Sequence, residues 1–259
     1  MGIRSLLFRR RKTPASSLPQ APVTSAAAPE DGHPLGPHTL STFDQALADL
    51  MTRVRQMGEH VGGMVAQCVP VFLEHDIAKA RAIIQADLIV DSQKDELLAR
   101  TMETIARHQP VASDLRLALA VEHIAIDLER SADHAKNIAK RTLALANRDA
   151  FDPTLNRLLL NLHEAASSMF DDSVSAFVTR NVALAADVCN RDQVPDAIYD
   201  DLFHAVIARI QTNPPDAATD VQTLFVAKSL ERIADHATNI SEEVGFFAKG
   251  DTKTATRNR

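Results

Sequence analysis

Residues 128–139 read LERSADHAKNIA, and residues 230–241 read LERIADHATNIS. Glu, Asp and Asn recur at one spacing in both: Glu129, Asp133 and Asn137, then Glu231, Asp235 and Asn239. On a helix, residues four apart lie one above the other on the same face. Each copy therefore stacks two carboxylates and an amide in a column. Like charges at this spacing weaken a helix by about 0.2–0.5 kcal/mol per pair. A chain that accepts this twice has a cation to put there.

The duplication extends outward from the motif. Met64 matches Met169, Phe72 matches Phe177, and Asp87, Asp91 and Asp95 match Asp192, Asp196 and Asp200, all at an offset of 105. The motif itself repeats at an offset of 102, so a connecting loop of the second half is expected to be about three residues shorter. A constant offset across such different residue types marks an internal repeat.

The apolar spacing of each repeat predicts three helices. The first starts at Ser41, with Ser41 or Thr42 as cap, and runs to about His75, with Pro70 kinking or splitting it. The second spans about Asp76 to Arg107, and Pro110 breaks the chain. Ser113 caps a third helix reaching about Asn147. In the second half, Asp152 caps a helix with Pro153 at its first position, ending near Thr179. A fifth runs from about Asn181 to Gln211, with Pro195 inside it or at a break. The residues 213–216 form a stop, and a sixth helix follows to about Phe247. The expected fold is all-α: two sequence-related three-helix bundles, six long helices packed as one elongated body. The expected organisation is a basic, Pro-rich, disordered tail over 1–38, repeats over 39–148 and 149–248, and a polar tail over 249–259.

Composition agrees and narrows the function. Hydrophobic residues make up 45% and charged residues 24%, ordinary for a globular chain. Glycine is absent between Met64 and Val244, which leaves no place for a phosphate-binding loop or a dinucleotide fingerprint. Cys68 and Cys189 alone make neither a disulfide framework nor a thiolate metal site. They indicate a reducing, cytoplasmic setting. The opening MGIRSLLFRRRK has the wrong charge order for a secretory signal, and Leu6 breaks the myristoylation pattern. Five of 28 basic and two of 34 acidic residues lie in 1–38, which leaves 23 against 32 and a net charge of −9 for the rest. Such an acidic body is a poor nucleic-acid binder and suits cations or a basic protein surface.

In the third helix Ile124, Leu128, Ala132, Ala135, Ile138 and Ala139 form an apolar stripe, with Glu129 and Asp133 at its border. Leu230, Ile233, Ala234, Ala237 and Ile240 repeat it beside Glu231 and Asp235. Border carboxylates reach toward a neighbouring helix. The acidic columns Asp87–Asp91–Asp95 and Asp192–Asp196–Asp200 are the partners expected there. Oxygen donors alone select hard cations, Mg²⁺ or Mn²⁺, with iron also suited. Asn137 and Asn239 serve either as ligands or as hydrogen-bonding groups between helices. His134 and His236 sit about 100° further round and need not point at the same site. No Glu-x-x-His di-metal pattern and no nucleophile elbow appears, and no carboxylate pair is marked out for acid–base work.

The two motif copies, with HTLSTFDQALADL, MGEHVGGMV and RHQPVASDLRLAL, resemble the PhoU family of phosphate-transport regulators across about residues 38–248. The resemblance implies two three-helix bundles with metal ions on the motif surfaces. It implies a cytoplasmic, non-enzymatic repressor of the phosphate-starvation response. Its implied partners are the phosphate transporter's ATPase subunit and a sensor histidine kinase, with the membrane reached only through them, and a homodimer is expected. Carried onto this chain, the metal candidates are Glu129, Asp133, Glu231 and Asp235, with Asp87, Asp91, Asp192 and Asp196 opposite. Ala132 and Ala234 stand where the family often has Gly. The alternatives are a metal-dependent enzyme acting on a phosphorylated substrate and a helical adaptor that needs no metal.

Overall fold

The structure, a computed structural model, describes residues 37–145, 152–212, 215 and 217–249. The expected disorder of 1–36, the end of the third helix near Asn147, most of the stop over 213–216 and the tail after 249 lie outside those residues. Seven helices form among the described residues: α1 (Pro37–Glu74), α2 (Ile77–His108), α3 (Ala112–Ala144), α4 (Pro153–Thr179), α5 (Val182–Asn190), α6 (Gln193–Thr212) and α7 (Ala217–Lys249). None is long and apolar enough to cross a membrane.

Most boundaries follow from caps. Asp76 accepts from the Lys79 N–H at the start of α2, and Asp152 accepts from the Thr154 and Leu155 N–H groups at the start of α4. Each satisfies donors that the first helical turn leaves unpaired. Three expectations change. α1 starts at Pro37, within the tail expected over 1–38 and four residues before Ser41, so neither Ser41 nor Thr42 stands at its cap. Pro70 neither ends nor splits α1, which runs on to Glu74. Ser113 does not cap α3; the cap position is Val111, with no side-chain hydrogen bond. One open alternative is decided: the fifth helix is two segments, α5 and α6, broken at Arg191 and Asp192, with Pro195 in the first turn of α6 just past the break, where its ring and missing N–H keep α5 from running on. Arg191 ties that break to α4 through Asp172 at 2.5 Å and back to α5 through Asp187 at 3.1 Å. The α6–α7 connection, where the shorter loop is expected, lies mostly outside the described residues.

α1, α2 and α3 pack on one another, and so do α4, α5–α6 and α7; α3 lies on α7 and α1 on α4. The paired positions are buried alike: Met64 and Met169, Phe72 and Phe177, Leu128 and Leu230, Ile138 and Ile240. Cys68 is buried in this core, which pushes its thiol up to about 12, so it is a filler and not a nucleophile.

Three cross-helix pairs fix how α3 meets α7: His123 with Glu243 at 2.9 Å, Asp127 with Asn239 at 3.1 Å, and the Arg141 guanidinium 4.2 Å over the Phe225 ring. Numbers rise along α3 as they fall along α7, so the helices are antiparallel. All three pairs bracket one midpoint, Ala132 against Ala234, both buried. Small side chains at a crossing let two helices approach closely.

The α1–α4 contact has its own close approach. A Cβ on Gly58 would lie 2.6 Å from Val174 Cγ1, whereas one on Gly63 meets open space. Gly63→Ala is therefore expected to stabilise the fold by about 1 kcal/mol through helix propensity. Gly58→Ala is expected to lose about 1–3 kcal/mol by crowding a stiff β-branched side chain, which outweighs the same propensity gain. Urea unfolding of the two variants decides it; equal stabilisation by both would refute the close approach.

Candidate functional site

The border positions of α3 and α7 do face the acidic columns of the neighbouring helices. In the first half, Asp87 from the middle of α2 meets Asp133 from α3, with Lys136 of α3 between them. The Lys136 ammonium donates to Asp87 Oδ2 at 2.6 Å and also to Asp133 Oδ1. The Asp87 side chain is only 3% exposed, and its second oxygen, Oδ1, is buried without a hydrogen-bond partner. Burial pushes the Asp87 carboxyl above its ordinary pKa against the pull of Lys136, and the charges of Asp91 and Asp133 add to the rise. For Lys136, burial opposes the charged form, but its hydrogen bonds to Asp133 and Asp87 outweigh it and hold its pKa above the ordinary lysine value. Glu129 lies along the same face and accepts from Lys94 of α2 at 2.9 Å. That hydrogen bond raises the Lys94 pKa against a burial cost, with Glu129, Asp91 and Asp95 adding by charge.

The second half repeats the layout with different cations. Asp192, at the α5–α6 break, accepts from the Thr238 hydroxyl of α7 at 2.8 Å. Glu231 accepts from Lys228 at 2.7 Å, and Asp235 accepts from Arg232 at 3.0 Å, both within α7. Lys228 also sits 5.0 Å over the Tyr199 ring of α6. Asp196 is raised by burial and then by the charges of Asp192, Glu231 and Asp235. All four predicted carboxylates of this half are thus within electrostatic reach of one another. Glu231 Oε2 is buried and has no hydrogen-bond partner.

The remaining candidates separate. Asn239 donates to Asp127 Oδ1 of α3 at 3.1 Å, the hydrogen-bonding role between helices. Asn137 is exposed on α3. Asp95 and Asp200, the third members of each acidic column, are also exposed, and so is Asp196, the second member of its column, whose carboxyl is only partly desolvated. His134 and His236 meet across the α3–α7 contact, with ring centroids 5.6 Å apart. His236 Nδ1 lies 2.8 Å from Asp127 Oδ1. Burial, then the neighbouring His236, pushes the His134 imidazole down to about 4, so it is neutral at physiological pH.

Among the described residues, no three carboxylate, imidazole or thiol side chains stand close enough together to hold a metal as placed. The carboxylates close instead on lysine and arginine. The donor set nevertheless fits a hard cation. All donors are oxygens, and buried Asp87 Oδ1 and Glu231 Oε2 each lack a hydrogen-bond partner, the latter with the Arg232 guanidinium 3.7 Å away. Sequence reasoning missed Lys94, Lys136, Lys228, Thr238 and Asp127. The available signals were Lys136 three residues after Asp133 and Lys228 three residues before Glu231, spacings that place each pair on one helical face.

A family model described as the PhoU domain matches twice, over residues 54–142 and 159–244. A phosphate-specific transport system accessory protein PhoU homolog from Rhizobium meliloti is 36% identical over 213 residues, 82% of this chain and 90% of that one. The homolog of the same description from Caulobacter vibrioides is 34% identical over 220 residues, covering 85% and 95%. The crystal structure of PhoU from Pseudomonas aeruginosa superposes with a TM-score of 0.78 at 26% identity, covering 81% of this chain and all of that one. The phosphate transport system regulatory protein PhoU from Streptococcus pneumoniae shares the fold, with a TM-score of 0.74 at 24% identity and coverage of 81% and 98%.

Proposed function

Since this chain belongs to the PhoU family, we propose that it is an accessory regulator of phosphate-specific transport that works by protein contacts in the cytoplasm. It contacts the transporter's ATPase subunit and a sensor histidine kinase, and it restrains the phosphate-starvation response when phosphate is plentiful. The observation that carries this reading is the family match across both repeats, together with relatives of matching length whose printed role is accessory to phosphate transport. A non-enzymatic role takes precedence over hydrolysis of a phosphate ester because those relatives are accessory proteins and no acid–base pair is singled out by the geometry.

In the same reading, the two carboxylate columns hold hard cations: Asp87, Asp91, Glu129 and Asp133 in the first half, and Asp192, Asp196, Glu231 and Asp235 in the second. The buried oxygens of Asp87 and Glu231 that make no hydrogen bond support it. Mg²⁺, Mn²⁺ and iron fit the donor type. A bound ion would supply positive charge on an acidic face, and the protein's own residues would orient that face toward a partner.

The test is capture of the full chain from phosphate-replete cells. Recovery of the transporter ATPase, the kinase or both is expected, and recovery of neither refutes the regulator. In parallel, elemental analysis of the purified protein is expected to find Mg, Mn or Fe that is lost from the variant Glu129→Ala/Asp133→Ala/Glu231→Ala/Asp235→Ala. Equal content in both proteins refutes the cation columns.

A further inference from the structure

We infer that Lys136 is a tethered cation that occupies the first column from within, so that the two halves take up a divalent metal with unequal affinity, the second half first. The inference rests on the reading of the columns as cation sites.

The argument is a comparison of the halves at matched positions. Glu129 has Lys94 at 2.9 Å, and Glu231 has Lys228 at 2.7 Å. Arg130 lies 3.7 Å from Glu129, and Arg232 lies 3.7 Å from Glu231. The lysine has changed helix, from α2 to α7, but the charge on each Glu is the same. One position is not balanced. At the motif offset of 102, Lys136 corresponds to Thr238. Both reach the first aspartate of the opposing column, Lys136 to Asp87 at 2.6 Å and Thr238 to Asp192 at 2.8 Å. One delivers a full positive charge and the other a neutral hydroxyl. Among the described residues, these ion pairs set three cations against the four carboxylates of the first half and two against those of the second, so the Lys136/Thr238 exchange leaves the second column with one positive charge fewer.

The electrostatics point the same way. Lys136 uses one oxygen each of Asp87 and Asp133, which are donors a metal would need, so an ion can enter only by displacing the ammonium. In the second half Asp192 gives up no cation, because the Thr238 hydroxyl oxygen can itself turn toward an ion, while Lys228 and Arg232 hold Glu231 and Asp235 there as Lys94 and Arg130 hold Glu129 in the first. Asp87 Oδ1, buried and unpartnered, marks where the first half keeps one oxygen available. The first column is thus a closed site that opens when the metal concentration is high enough to move a lysine.

The experiment uses the full chain, stripped with chelator, and Mn²⁺ as probe, with free ion read by electron paramagnetic resonance and melting temperature read in parallel. The wild type is expected to show two classes of site at least tenfold apart. Lys136→Thr is expected to tighten the weaker class tenfold or more and, if its melting temperature is depressed in chelator, to recover it on adding Mn²⁺. Thr238→Lys, which recreates the Lys136 arrangement, is expected to weaken the tighter class by at least tenfold while the fold is retained. If both variants titrate like a metal-binding wild type, the inference about Lys136 is overturned and the cation columns stand. If neither the wild type nor Lys136→Thr binds Mn²⁺, the cation columns themselves fall and this inference with them. Thr238→Lys decides the matter even where Lys136→Thr fails to fold.

Discussion

Lys136→Met in metal-free buffer is expected to lower stability by about 3–5 kcal/mol, the cost of stranding one member of a buried ion pair. The stranded group is Asp87, whose side chain is 3% exposed and whose Oδ1 already lacks a partner. The loss should depend on pH, with a definite sign. The Asp87 carboxyl is already raised by burial, and removing Lys136 takes away the pull that opposes the rise. Above the unfolded value near 4, the folded variant then holds a proton that the unfolded chain has released. Stability of Lys136→Met should therefore fall, relative to the wild type, as pH rises above the unfolded carboxylate value. The double variant Asp87→Leu/Lys136→Met should recover most of the loss, because an apolar pair of similar volume needs no compensation. Urea midpoints at pH 5 and pH 8 for the three proteins test this. A single variant as stable as the wild type at pH 8 would show that Lys136 is not what holds Asp87.

The second large effect concerns the α3–α7 contact. Ala132→Leu and Ala234→Leu are each expected to cost about 1–3 kcal/mol by overpacking the crossing. The double variant should cost less than the two together, since the first leucine opens the space that the second enters. Ala78→Leu, on an exposed part of α2, should change stability by no more than about 0.5 kcal/mol. Full additivity of the alanine pair would mean that the two positions do not share one contact, and the register argued from His123–Glu243, Asp127–Asn239 and Arg141–Phe225 would be wrong.

Much of this architecture was legible in the chain because its determinants are local or periodic. The apolar stripes of α3 and α7 are spaced by helix geometry, and the repeat shows itself as a constant offset between Met64 and Met169 or Phe72 and Phe177. Border positions could be assigned to Glu129, Asp133, Glu231 and Asp235 for the same reason. What was not legible depends on which neighbour a long side chain reaches. Lys94 is on α2 and finds Glu129 thirty-five residues away, while its counterpart Tyr199 carries no charge and the cation comes instead from Lys228. Helical spacing sets Lys228 beside Glu231, but no spacing rule sets Lys94 beside Glu129. The α5–α6 break was half legible: Pro195 marked it, since a proline ring clashes with the carbonyl four residues back, at Arg191, but the contact of Arg191 with Asp172 that ties the break to α4 was not. Ser113 misled for a simpler reason: cap chemistry identifies residues able to cap, and the backbone turned two residues earlier, at Val111.

The antiparallel α3–α7 contact, centred on two alanines, is what a dimer axis would look like if two identical subunits had been joined end to end. In a true homodimer every substitution is made twice, once on each side of the axis, so an interface group can never differ from its mate. Joining the copies in one chain removes that constraint. Asp127 receives both His236 and Asn239, and its mate at the motif offset is Ser229, which turns to its own helix and bonds the Phe225 carbonyl. Lys136 and Thr238 are a second such pair. The linker between α3 and α4 thus does more than connect: it lets one chain hold two related sites that are free to become unlike, an asymmetry that two separate copies of a single repeat could not encode.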